Sequence, residues 1–258
     1  MISPLAYVHP SAKIGKDVEI QPFAYIEEGV EIGDGCLICA HASILKGTKM
    51  GKNNRVFQGA TLGAEPQDFD FKGKPGYLEI GDGCEIRENV LISRSLDESG
   101  VTRIGSECAL MDGAHICHSA QIKDYCILGI HSIIGANAKI DSYSILSNAA
   151  VMHQSVKVGA WSFIQSGSVC QKDVPPFIVA GGNPAAYHGT NKTILRHYSK
   201  GQFTEDDIRQ IMTAYLITFQ SITSIEDATN RIIDQVEDIP ARQQILDFFA
   251  QSEGIIQR

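Results

Sequence analysis

A chain of 258 residues is long enough for one large domain or two modest ones, and it can bury a sizeable core. Its 43% apolar content is ordinary for a globular protein, and no apolar run is long enough to span a bilayer. A formal net charge of −8 argues against general nucleic-acid binding. No signal peptide is recognisable, so the expectation is a cytoplasmic protein without stable membrane insertion.

From Ile2 an aliphatic residue recurs at every sixth position: Val8, Ile14, Ile20, Ile26, Ile32, Ile38, Ile44, Met50, Val56 and Leu62. A mostly small residue follows each by four, as at Ala6, Ala12, Ala24, Cys36 and Ala42. The beat resumes at Ile80 and again at Ile104, then runs to Cys170. A period of six is neither helical nor a plain alternating strand. It suits short strands joined by turns, each sending one aliphatic side chain inward, which is the hexapeptide parallel β-helix pattern.

The beat breaks twice, at about 64–78 and 94–102, where Pro, Gly and charged residues mark loops leaving the coil. Such excursions tend to gather on one face and carry function, although tolerated surface insertion is the plain alternative. The coil is expected to end near Val174-Pro175-Pro176, because proline cannot donate to a ladder. The spacing thus divides the chain into a β-helix over 1–185 and a connector with a small helical domain over 186–258. Thr204 and Ser224 are placed to cap helices, and Pro240 suits the first turn of a third. Ile208, Ile211, Met212, Tyr215, Leu216 and Phe219 form one apolar stripe, and Ala228, Ile232, Ile233 and Val236 another. The connector carries Lys192, Arg196 and Lys200 with no acid, a basic island that suits phosphates or an acidic partner; a solvated connector is the bland reading.

Seven scattered cysteines, four of them at the small inward position, read as reduced buried thiols rather than a disulfide framework. The single CxxC, Cys36 to Cys39, is a weak metal signal without a second pair.

Three six-residue strands per lap place residues eighteen apart one rung above another, about 4.8 Å away. His118, Ala136 and Gln154 then share one column, flanked by Asn137 and His153, with His115 just before the same corner. These residues spread over roughly 10 Å of one edge. His41 and His131 fall in another column and are treated as bystanders. A lone histidine is usually a packing or surface residue; this cluster favours chemistry. His118 is the candidate general base, since imidazole titrates near neutrality. The backbone N–H of Ala136 is the candidate oxyanion donor.

Pro66-Gln67-Asp68, Ile86-Arg87-Glu88, Ala114-His115-Ile116 with His118, Val151-Met152-His153-Gln154, Asp173-Val174-Pro175-Pro176 and Gly182-Asn183 together carry a closer likeness. The chain resembles the acyl-carrier-protein–UDP-N-acetylglucosamine O-acyltransferases that begin lipid A synthesis, over its whole length. The resemblance implies an all-β left-handed parallel β-helix followed by a small C-terminal α-helical domain, assembled as a homotrimer with sites between subunits. It implies transfer of a 3-hydroxyacyl chain from acyl carrier protein to the glucosamine 3-hydroxyl of UDP-N-acetylglucosamine, with no metal and no cofactor of its own. It puts the base at His118 and the oxyanion donor at Ala136. Gln67, Asp68, His115, Asn137, His153 and Gln154 would line the substrate groove, Asn191 and Arg196 would meet the nucleotide, and Ser166 would set acyl length, leaving room for a long chain.

The chain departs from the family pattern at Ser93 and Asn137, where histidine is frequent. It departs again at Ser119, where an acidic residue commonly follows the base, so what orients the imidazole is left open. Three other readings are set against this one: the related glucosamine N-acyltransferase, which normally carries an extra N-terminal domain; a trimeric β-helix zinc enzyme of carbonic anhydrase type; and a non-catalytic scaffold.

Overall fold

The computed structural model describes residues 1–74, 76–220 and 224–257, so Pro75 of the first excursion lies outside the described residues. The chain winds into a three-sided prism of parallel sheets with nine, eight and ten strands. The first face runs from Tyr7–Val8 to Val169–Cys170, the second from Lys13–Ile14 to Lys157–Val158, and the third from Glu19–Ile20 to Ala186–Thr190. Most strands are two residues long, since a corner follows at once. The second residue of each two-residue strand points inward, and Ile26, Ile38, Ile44, Ile86, Ile116 and Ile134 are fully buried. Each contributes about 1.5–3 kcal/mol of hydrophobic stabilisation. The small residues fill the corners from within: Ala24, Ala42, Ala60, Ala114 and Ala138 are as deeply buried.

The register is what the period demands. Tyr7 pairs with Tyr25 and His115 with Ile133, a lap of eighteen. Across the first excursion Thr61 pairs with Leu91, and across the second Leu91 pairs with His115. Those laps are longer than eighteen by two and by one six-residue units, so the beat keeps its phase through both interruptions.

Both excursions leave at the corner between the first and second faces. The first connects Thr61–Ala64 to Tyr77–Ile80, and the second connects Leu91–Ser93 to Val101–Ile104. His118, Ala136 and Gln154 turn the same corner on the following laps.

Many corners hold a non-glycine residue at positive φ, His41, Ser119, His131 and Asn137 among them. His41 and His131 lie at the corner between the third and first faces. The buried cysteines bond along the coil: the Cys36, Cys84, Cys108 and Cys126 thiols each donate to a carbonyl further along the chain, at 3.1–3.3 Å. All seven cysteines are free.

The prolines do not stop the coil where the sequence suggests. Ile178–Gly181 still pairs in parallel with Phe163–Ile164, and Ala186–Thr190 adds to it antiparallel. Pro175 and Pro176 instead offer carbonyls, the first to the Ser162 hydroxyl at 2.7 Å and the second to the buried Tyr215 hydroxyl.

Among the described residues four helices follow: α1 (Lys192–His197), α2 (Glu205–Gln220), α3 (Ile225–Gln235) and α4 (Pro240–Gln251). Sequence reasoning missed α1, whose six residues are too few to show a period. Thr204 and Asp207 exchange capping hydrogen bonds at the start of α2, and Ser224 caps α3 through the Asp227 N–H. Leu216 and Ile233 depart from their stripes and stand half exposed, each one position beyond the buried residues Tyr215 and Ile232. The C-terminal segment returns to the coil, where Ile255 pairs with Asp173.

Candidate active site

The site is assembled by zipping the two excursions together over the His118 corner. The Arg94 N–H donates to the Ala64 carbonyl at 2.9 Å, and the Ser95 N–H donates to the Tyr77 carbonyl at 3.1 Å. The Arg94 side chain is buried, donates to Glu65 at 3.0 Å and lies over the Phe71 ring at 5.7 Å. A cation pinned between a loop carboxylate and a loop aromatic fixes the first excursion against the coil. That excursion delivers Asp68.

Asp68 Oδ2 stands 3.2 Å from His118 Nε2. Only 5% of His118 is exposed, whereas Asp68 keeps about a third of its side chain open, so the carboxylate faces the solvent side of the imidazole. The Asp70 N–H at 2.8 Å, followed by the His118 ring, holds the Asp68 carboxyl below the usual carboxylate range. It is therefore ionised at neutral pH. On the other side His118 Nδ1 faces the Ser119 hydroxyl at 3.4 Å.

One lap on, the Asn137 N–H donates to the His118 carbonyl at 3.1 Å. Like the equivalent N–H groups of Glu88 and Ser142, the Ala136 N–H lacks the cap that its counterparts carry at several other corners. There the residue one lap along caps it: Asp34 caps Lys16, Asp124 caps Ser106 and Asn148 caps Ile130 at 2.7–3.0 Å. Ala136 has Gln154 in that place, and among the described residues nothing accepts its N–H. An uncommitted donor one rung from an imidazole is the arrangement that meets a developing oxyanion.

A groove of about 650 Å³ opens beside Ser119 and runs past Asn137 and Gln154 to Lys172 and the returning tail at Glu253–Gly254. Lys139 and Lys157 line its second-face side. His153 is exposed on the same edge, and Gln67 is exposed beside Asp68. His115 lies on the first face, in register between Leu91 and Ile133. Burial among these apolar neighbours lowers its pKa, so the ring is neutral at pH 7. The folded state resists protonation there, so this contribution to stability is complete above the ordinary histidine value and is lost as pH falls through the lowered one. NMR titration is expected to place the His115 midpoint below the ordinary histidine value.

Three sequence candidates are not brought to this edge in the single chain. Ser166 occupies the corner between the third and first faces, where its hydroxyl pairs with Ser147 at 2.8 Å. Asn191 is 4% exposed and spends its amide on the Trp161 carbonyl at 2.8 Å, tying the start of α1 to the last lap. Arg196 forms a two-pronged ion pair with Glu205, both contacts at 2.7 Å. Residues that sequence reasoning missed are Arg94 and Ser95, since no period marks which side chain of an excursion turns inward. Among the described residues no three His, Cys, Asp or Glu side chains are grouped to hold a metal ion.

The six-residue coil is that of the hexapeptide-repeat transferases, and the model of the bacterial transferase hexapeptide matches residues 11–46. The model described as UDP-N-acetylglucosamine O-acyltransferase, domain 2, matches residues 173–256. Among solved structures, a UDP-N-acetylglucosamine acyltransferase of Bacteroides fragilis is 43% identical, with all of both chains covered and a TM-score of 0.96. LpxA of Acinetobacter baumannii is 31% identical, covered over 100% of this chain and 99% of its own, with a TM-score of 0.92. The UDP-N-acetylglucosamine acyltransferase of Francisella novicida is 30% identical over 100% and 94%, with a TM-score of 0.95. The chain belongs to the UDP-N-acetylglucosamine O-acyltransferase family and has its left-handed β-helix fold.

Proposed function

We propose that the protein transfers a 3-hydroxyacyl chain from acyl carrier protein to the 3-hydroxyl of UDP-N-acetylglucosamine, the first step of lipid A synthesis, in the cytoplasm. The observation that carries this reading is the contact between loop carboxylate Asp68 and His118 Nε2 beside the open Ala136 N–H. Nε2 faces the partly open Asp68 carboxylate, so the acceptor hydroxyl reaches that nitrogen beside Asp68. As its oxygen attacks the thioester carbonyl, its proton passes to Nε2 and the carbonyl electron pair moves onto oxygen, facing Ala136. Collapse breaks the C–S bond, and the leaving phosphopantetheine thiolate takes the proton back. The balance closes without a metal or an organic cofactor.

A homotrimer is supported by the outer faces. From the middle of the coil onward the first face presents Leu91, Ile133, Val151 and Val169, and the third presents Ala109, Ile127, Ile145 and Phe163. The second face is charged: ion pairs join Lys13, Glu31 and Lys49, and another joins Glu79 to Arg103. Two apolar faces and one wet face suit packing about a threefold axis. In that assembly Ser166 and Arg196 reach a groove formed with a neighbouring chain. Asn191 then acts by setting the start of α1 rather than by direct contact. The Ser166 side chain leaves space for a long acyl group.

A transfer assay of hydroxyacyl carriers of several lengths against UDP-N-acetylglucosamine tests the reading. A 3-O-acylated product with a long-chain donor is expected. Transfer only to a glucosamine amine would assign the N-acyltransferase reaction instead, and no transfer from any carrier would leave a scaffold.

A further inference from the structure

We infer that a two-hydroxyl relay, Ser119 backed by Ser95, orients the His118 imidazole in this chain; the inference rests on His118 being the base. His118 Nδ1 faces Ser119 Oγ at 3.4 Å, and Ser119 Oγ stands 3.0 Å from Ser95 Oγ. Ser95 is 1% exposed and Ser119 is partly buried, so water does not substitute freely. The Ser95 oxygen also accepts the Asp97 N–H at 3.3 Å, and the Ser119 N–H is fixed by the Thr102 hydroxyl at 2.8 Å.

The relay is built, not incidental. A Cβ on Gly100 would lie 2.4 Å from Ser95 Oγ, and one on Gly76 would lie 2.0 Å from the Ser95 carbonyl oxygen. Two glycines, one from each excursion, thus let the backbone close around Ser95. The second excursion thereby brings a hydroxyl under the base.

The proton assignment follows. In the free enzyme the ionised Asp68 accepts Nε2–H and Nδ1 accepts the Ser119 hydroxyl. When the substrate hydroxyl enters at Nε2 beside Asp68, the ring proton sits on Nδ1 and donates to Ser119, the Ser119 hydroxyl donates to Ser95, and the Nε2 lone pair is left for the substrate hydroxyl. When Nε2 takes the proton, both imidazolium N–H groups have acceptors, Asp68 on one side and Ser119 on the other. The full negative charge sits on one side of the ring, at Asp68, while the Ser119 side stays neutral. Ser119 and Ser95 are positioning residues, because neither touches the reacting atoms.

The test pairs kinetics with a spectroscopic signature of the enzyme with UDP-N-acetylglucosamine bound. Ser119→Ala is expected to lower kcat about ten-fold at unchanged KM, the size of one neutral hydrogen bond, and to mix the His118 tautomers in ¹⁵N NMR. Alanine is tolerated at that backbone, since Ala149 already holds φ +55 at a corner. Ser119→Asn keeps an acceptor and suits positive φ; it is expected to restore most of kcat and the single tautomer. Ser95→Ala should show a smaller loss of about three-fold, as the second link. Wild-type kcat and an unchanged tautomer in Ser119→Ala would overturn the relay. Full activity in His118→Ala would instead remove the base on which the relay acts, so the two failures are told apart.

Discussion

His118→Ala is expected to lower kcat about 10²–10⁴-fold, the usual contribution of general base catalysis, while KM for the nucleotide sugar changes little. The side chain is buried at a corner and touches Asp68 and Ser119 without carrying any backbone of the coil. Its carbonyl still accepts the Asn137 N–H in the variant, so the lap above stays in register. The melting temperature should therefore stay close to wild type, and a loss of activity reads as lost chemistry. Residual turnover within ten-fold of wild type would place the base elsewhere.

Ala136→Pro is the second substitution with a large expected effect, and it removes a single N–H. The Ala138 N–H donates to the Gly135 carbonyl at 3.2 Å and Asn137 has φ +58, which defines a type II turn with residue 136 at its first central position. Proline suits that position. The chain uses it so at Pro22, before Phe23 at φ +64, with the Ala24 N–H donating to the Gln21 carbonyl. Nothing in the fold accepts the Ala136 N–H among the described residues, so the exchange costs the coil no hydrogen bond. Loss of an oxyanion donor is expected to reduce kcat about 10²–10³-fold with the coil intact by circular dichroism. Full activity would show that another donor meets the oxyanion.

The two variants probe different kinds of placement. His118 lies in a contact between distant parts of the chain, and Ala136 in a local turn. Ala136 was legible from spacing alone: a residue eighteen after the base in a constant lap must stand one rung above it. Gln154, eighteen further on, was legible for the same reason, and it lines the groove. The nearness of Asp68 to His118 was not legible in this way, since it came only with the family likeness. The residues are fifty apart in sequence, and the loop between has no period.

Ile116, Ile134 and Met152 are inward because the six-residue beat admits only one register, and that beat was complete in the amino-acid order. The same order marked the starts of α2 and α3, since a cap needs only neighbours within three residues. What needed three dimensions was everything held by side chains that leave the beat: Arg94 pinning the first excursion, Ser95 beneath Ser119, and Asn191 buried under Trp161. A repeat propagates position by hydrogen bonds of fixed offset, so spacing suffices to place its residues. An excursion is placed by whichever distant groups satisfy its charges and backbone, and only the folded chain brings those groups within reach.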